Sequence, residues 1–191
     1  MKIILNDKQL EVDNLDLQEL VAEIREDLTD EIIDQICVDG EEVTEDELIS
    51  NYTVSEVDEI EFVTKKSIDL VKETLQEANN YLPKLKEGII DTANLFSKGE
   101  IVNGNDKFQL CLDGIEWYSN VLIQILSLAY QDDAEVQEEK KLEEFNVIIK
   151  KVLTKMQEDD LNQAAELLKS EVAEYIEEFI ELNNELLSKL K

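Results

Sequence analysis

The chain has no histidine, one proline, five glycines and a single arginine, Arg25, in 191 residues. Each shortage excludes something. Without histidine, the commonest general base and the commonest transition-metal ligand are gone. A serine or cysteine nucleophile loses the partner that ordinarily activates it. The inward-facing Glu-x-x-His pairs of a di-iron bundle cannot be assembled. Aromatic residues make up 6% of the chain, too few for the ring-rich clefts in which paired carboxylates cleave sugars. Scarce glycine and proline leave no long flexible linker. The two cysteines, Cys37 and Cys111, lie far apart in apolar runs and form no C-x-x-C pair. They read as buried free thiols of a reducing compartment. No basic-then-apolar leader opens the sequence, and no apolar run is long enough to cross a bilayer. The expectation is a cytoplasmic protein that is not an enzyme and carries no cofactor and no metal.

Negative charge is abundant. There are 47 acidic and 18 basic residues, a formal charge of −29. Residues 1–66 hold 21 acids and 5 bases; residues 67–191 hold 26 acids and 13 bases. The shorter part is the more acidic per residue. Such a field repels nucleic-acid phosphates and anionic lipid headgroups. It leaves a basic or helical protein as the expected partner, with neither nucleic acid nor membrane. Monomer and homodimer both remain open.

The apolar rhythm changes at Lys65-Lys66. Before it, short β-rich runs alternate with turn signals. Lys2-Ile3-Ile4-Leu5 and Gln9-Leu10-Glu11-Val12 flank Asn6-Asp7-Lys8, a hairpin pattern. Asp16 and Glu19 have capping-box spacing ahead of Leu17, Leu20, Val21, Ile24 and Leu28, one helical face. Ile36-Cys37-Val38 reads as a strand ended by Asp39-Gly40. Val43 begins a short strand, a loop follows, and Ile60-Glu61-Phe62-Val63 is the last strand. After Lys66, apolar residues step by three and four. Ile68 to Ile89, Phe108 to Leu126, Leu142 to Met156 and Leu161 to Leu186 give four amphipathic helices. Ser97-Lys98-Gly99 ends the first. Gly104-Asn105-Asp106 precedes the second, Asp132-Asp133 the third, and Asp159-Asp160 the fourth. Asn79-Asn80 and Pro83 predict a kink or break, with 67–79 as a connecting helix. The fold class expected is α+β: domain 1–65, then an all-α up-and-down four-helix bundle over 66–191.

The first part resembles ubiquitin-like β-grasp domains. The resemblance is carried by the strand, strand, helix, strand, short strand, strand order. It is also carried by Gln35 to Lys65, where Ser50-Asn51-Tyr52-Thr53-Val54 matches the Ser-Asp-Tyr-Asn-Ile segment of ubiquitin and Ile60-Glu61-Phe62-Val63 falls on its final strand. What it implies is mainly a fold. The reactive Gly-Gly of conjugated relatives is replaced by Thr64-Lys65-Lys66-Ser67 running into a helix, so modifier and sulfur-carrier roles are not implied. The basic and apolar sheet of ubiquitin is here fringed by Glu41, Glu42, Glu59 and Glu61. The second part weakly resembles small helical export chaperones, including flagellar ones, in helix count and acidity.

Metal and phosphate motifs fail. With Gly40 at the sixth position of a calcium loop, the first and third would be Gln35 and Cys37. The Lys98–Asp106 glycines lack the Gly-Lys-Ser/Thr of a phosphate loop. Glu174, Glu177, Glu178 and Glu181 read as a solvated helix face. Gly114-Ile115-Glu116-Trp117-Tyr118 holds the one tryptophan. Adjacent helical residues point about 100° apart, so Trp117 and Tyr118 cannot both face the core centre. The expected function is a protein-interaction, adaptor or chaperone-like role toward a basic or amphipathic partner. The candidate contact residues are Trp117, Tyr118, Glu41, Glu42, Glu59 and Glu61. The alternatives are a self-assembling structural protein and a divalent-cation-dependent enzyme or carrier.

Overall fold

A computed structural model describes residues 1–11, 16–129 and 137–190. Val12, expected in a strand, and Asp132-Asp133, expected to start the third helix, lie outside the described residues. The fold is mixed α+β: a five-stranded sheet at the amino terminus, followed by a mostly helical region. The chain divides into two compact units, Met1–Val71 and Lys72–Lys191.

In the first unit, β1 (Lys2–Leu5) and β2 (Lys8–Leu10) form an antiparallel hairpin. Asn6 and Asp7 have φ of 48° and 64°. Two successive left-handed residues make the turn whose twist suits a two-residue hairpin, and Asn and Asp tolerate that region best after glycine. Helix α1 (Leu17–Asp27) opens with the expected capping box: the Asp16 carboxylate accepts from the Glu19 N–H at 2.8 Å. Leu28 lies just past its end. β3 (Glu31–Val38) is longer than expected and carries a bulge between Ile33 and Gln35. β4 is Glu41–Val43, so Val43 ends that strand rather than beginning it. β5 (Glu59–Lys66) runs parallel to β1 and antiparallel to β3. The sheet order is β2-β1-β5-β3-β4. Ile3, Ile36, Val38, Ile60 and Phe62 pack with Leu20, Val21 and Ile24 of α1 into one core. Burying each such side chain stabilises by about 2 kcal/mol.

The expected loop before β5 is in part a helix, α2 (Glu45–Asn51). Thr44 and Glu47 cap each other's backbone N–H groups, at 3.2 and 2.8 Å. That reciprocal pairing satisfies two donors that a short helix otherwise leaves open. Leu48, at 0% exposure, anchors the helix in the core.

Helix α3 (Ser67–Ser97) follows β5 directly. It passes through Pro83 without a break, so of the kink or break expected at residues 79–83 the break does not occur, and 67–79 is not a separate connecting helix. Pro83 is exposed, so its ring takes no place in the core and the helix continues through it at the cost of one missing backbone donor. The asparagines that weaken the sequence signal are also engaged. Asn183 Nδ2 donates to the Leu75 carbonyl (2.8 Å) and to Asn79 Oδ1 (2.6 Å), and Asn79 Nδ2 donates to Asn184 Oδ1 (3.0 Å). Ile68, expected on the apolar seam, is 42% exposed.

The expected Lys98–Asp106 loop is only three residues long, because α4 (Ile101–Ala129) begins before Gly104. Gly99, at φ +74°, closes α3: its N–H bonds to the Phe96 carbonyl and the Glu100 N–H to Leu95. This is the Schellman arrangement that favours glycine. Gly104 has another role. A Cβ there would lie 2.5 Å from the Phe96 ring, so it lets α3 and α4 approach. The remaining elements are α5 (Gln137–Gln157), α6 (Leu161–Leu167), a π-helical turn (Leu168–Val172) and α7 (Ala173–Lys189). Asp160 caps α6 through the Gln163 N–H, as its spacing implies. The extra residue of the π turn places Val172 and Ala173 side by side in the core, and no sequence signal announces it.

Candidate functional site

Two surfaces hold the candidate contact residues, one in each unit. On the sheet, side chains alternate between faces. Ile60 and Phe62 point to the core, so Glu59 and Glu61 point to the other face. The ladder sets Gln9, Ile4, Glu61, Cys37 and Glu42 in one cross-strand row. Glu61 is thus flanked by a half-buried isoleucine and a half-buried thiol. Glu59 sits opposite Lys2 and accepts from its Nζ at 2.7 Å. Glu41 pairs with Val38, whose side chain is in the core, so it lies on the opposite face. The sheet therefore brings Glu42, Glu59 and Glu61 together and leaves Glu41 out.

Asp39 braces the edge of this face. Its carboxylate accepts from the Asp58 and Glu59 N–H groups at 3.1 and 2.8 Å, which fixes where β5 begins. Asn6 does the same at the far end, accepting from the Thr64 N–H at 2.9 Å and donating to its hydroxyl at 2.6 Å. Thr64 in turn donates to Glu31.

In the helical unit, the angular argument holds for Trp117 and Tyr118. Tyr118 is 1% exposed and donates to the Phe179 carbonyl at 3.2 Å, which ties α4 to α7. Burial pushes its hydroxyl far above the usual tyrosine range. It is a core residue. Trp117 is half-buried, and its ring meets Tyr81 of α3 edge-on, with centroids 5.2 Å apart and planes at 76°. Such a pair contributes about 1 kcal/mol beyond its buried area.

Tyr81 reaches Trp117 because Gly114 leaves a notch. A Cβ at residue 114 would lie 2.0 Å from the Tyr81 hydroxyl oxygen. Burial, then Cys111 and Asp113, raises the Tyr81 pKa. One turn below, Gly88 of α3 approaches Cys111 of α4, whose thiol burial pushes up despite a long contact with the Thr92 hydroxyl (3.8 Å). Lys107 and Asp91 close the same seam with a 2.6 Å ion pair. Tyr81 was not among the expected contact residues. Its one visible signal is a tyrosine two residues before Pro83, and nothing local links it to Gly114.

The expected solvated glutamate face of α7 is met by lysines: Lys86 binds Glu177 at 2.6 Å and Lys141 binds Glu178 at 3.3 Å. Among the described residues, no group of histidine, cysteine or carboxylate side chains is arranged to hold a metal ion. No described helix is long and apolar enough to cross a membrane. An open depression of about 340 Å³ lies beside the π turn, lined by Ser97, Asn162, Glu166, Lys169 and Ser170 among others.

No curated protein and no solved structure matches the chain. A family model described as a domain of unknown function (DUF8042) matches residues 73–182, more than half of the chain and wholly within the helical unit, and the chain belongs to that family.

Proposed function

We propose that this is a non-catalytic interaction protein of the adaptor or chaperone type, which holds a basic or amphipathic protein partner. In this reading the first unit is a ubiquitin-like β-grasp module. The order β2-β1-β5-β3-β4, with β5 central and parallel to β1, supports that assignment. The helical unit is an up-and-down four-helix bundle. Contacts of α3 with α4, α3 with α7 and α5 with the π turn that leads into α7 support it. Each pairs early residues of one helix with late residues of the other, as in Lys107 with Asp91, Lys86 with Glu177 and Lys151 with Glu171.

The observation that carries the functional reading is the row across the sheet. Glu42, Glu59 and Glu61 share one face with the half-buried Ile4 and Cys37. Acidic groups around modest apolar area suit a basic partner, and a field of −29 speeds its encounter. The test is affinity capture with the intact chain and with a Glu59→Lys/Glu61→Lys variant. A protein with a basic segment should be captured in stoichiometric amount by the first and lost by the second. Capture of nothing but the chain itself would refute the proposal.

A further inference from the structure

Among the described residues of the helical unit, the most exposed apolar side chains are Val102, at 73%, and Leu110, at 67%, both on α4. They are in register. Val102, Asp106, Leu110, Asp113 and Trp117 follow one another at steps of four, four, three and four. At 100° per residue these positions fall in one outward stripe. Asp106 and Asp113 are exposed. The stripe therefore alternates apolar and acidic groups along roughly 23 Å of helix, and Tyr81 widens it at the Trp117 end.

This alternation of apolar and acidic groups lies opposite the buried face of α4 (Phe108, Cys111, Ile115 and Tyr118), so Val102 and Leu110 add nothing to the core of the unit. It complements a helix in which lysine or arginine alternates with apolar residues at the same spacing. Trp117 and Leu110 would act as anchors, and the aspartates would set the register. A second copy of the chain fits poorly, because stripe against stripe would oppose Asp106 and Asp113 to their own kind in a molecule of net charge −29. Along α4 the acids are Asp106, Asp113 and Glu116 and the one base is Lys107, which is already paired with Asp91.

We infer that the outer stripe of α4, with Tyr81, is the docking surface for a basic amphipathic helix of a partner protein. This rests on the interaction reading above and adds a surface and an occupant to it.

Trp117 is the only tryptophan, so its emission reads the site directly. The probe is a tryptophan-free lysine–leucine helical peptide, with a scrambled, non-amphipathic peptide of equal charge as control. The intact chain should bind the helical peptide with a blue shift of Trp117 emission, and the scrambled one at least about tenfold more weakly. Leu110→Ser and Asp106→Lys/Asp113→Lys should each weaken binding about tenfold or more, while Glu181→Lys/Glu185→Lys, an equal charge change on exposed positions of α7, leaves it unchanged. Circular dichroism confirms that these surface variants are folded. Equal affinity of both peptides, or of wild type and stripe variants, would overturn the inference. So would a concentration-dependent dimer in sedimentation that Leu110→Ser abolishes, which would make a second copy the occupant. A captured natural partner that is lost with the sheet variant but kept by the stripe variants would overturn this inference and leave the broader reading standing.

Discussion

Replacing Gly114 by alanine tests whether the Tyr81–Trp117 arrangement depends on a missing Cβ. Two effects oppose each other. In a helix interior, alanine is favoured over glycine by about 1 kcal/mol. Against this, the new methyl would meet the Tyr81 hydroxyl oxygen at 2.0 Å and the ring carbons at 2.9 and 3.0 Å. A tyrosine ring is rigid and cannot yield locally, so it must swing out of the notch. Over-packing of this kind costs about 1–3 kcal/mol. The edge-on pair with Trp117, about 1 kcal/mol, is lost with it. The steric and pairing losses outweigh the helix gain, and Gly114→Ala should destabilise the helical unit by about 2 kcal/mol. In a Tyr81→Ala background the obstacle is gone and only propensity remains. There the same change should stabilise by about 1 kcal/mol. The sign reversal corresponds to a coupling near 3 kcal/mol, at the upper end for neighbours. Urea unfolding followed by Trp117 emission measures it within this unit. If Gly114→Ala stabilises equally in both backgrounds, the notch does not exist and the account of Tyr81 is wrong.

Three further predictions concern local chemistry. Gly99→Ala should cost about 1 kcal/mol, whereas Asp159→Gly should gain up to about 1 kcal/mol, because both residues close helices in the left-handed region and only one is glycine; their φ angles are +74° and +57°, and unfolding midpoints give the comparison. The Thr44 backbone and side-chain hydrogen bonds hold the Glu47 carboxyl below its ordinary range. A depressed folded-state pKa adds stability that is present above the unfolded value and lost as pH falls through the folded one. Glu47→Gln, which removes the titrating group and keeps a hydrogen-bonding side chain, should therefore flatten the acid limb of the first unit's stability curve below pH 4.5, and an unchanged limb would refute the capping-box assignment. Cys111 is buried with a raised pKa, while Cys37 is half-buried on the sheet. A thiol reagent should thus label Cys37 in the folded chain and Cys111 only on unfolding, and Cys37→Ser should remove the native reaction.

What could be read from the sequence follows from how local each cause is. The helix seams were legible because one buried face forces a 3.6-residue period, and Leu75, Leu82, Ile89, Phe145 and Val152 fall where that period puts them. The seam failed at Ile68, where a periodic residue is exposed. The hairpin turn at Asn6-Asp7 and the Asp16 cap were legible for the same reason. Thr44 and Glu47 carried an equally local signal, and α2 could have been found from it. Gly104 could not be placed, because glycine marks a turn and a close helix contact alike, and only the Phe96 ring across the seam tells them apart. Pro83 misled because its cost depends on which face of the helix it occupies. At the candidate site, helix geometry required Trp117 and Tyr118 to face differently, but that Tyr118 is the core residue, and so no contact residue, needed the structure. The part of Tyr81 was not, since it depends on a notch in another helix 33 positions away. The grouping of Glu42, Glu59 and Glu61, and the separation of Glu41, needed the strand register.

The central claim is that a basic protein partner is held by charge on this acidic chain. Sedimentation velocity of the intact chain with its captured partner, at salt concentrations of about 0.05 and about 0.5 M, tests it most directly. The account predicts a single hetero-complex at low salt that dissociates at high salt. A chain that sediments as the same homo-oligomer at both, or alone at both, would contradict it.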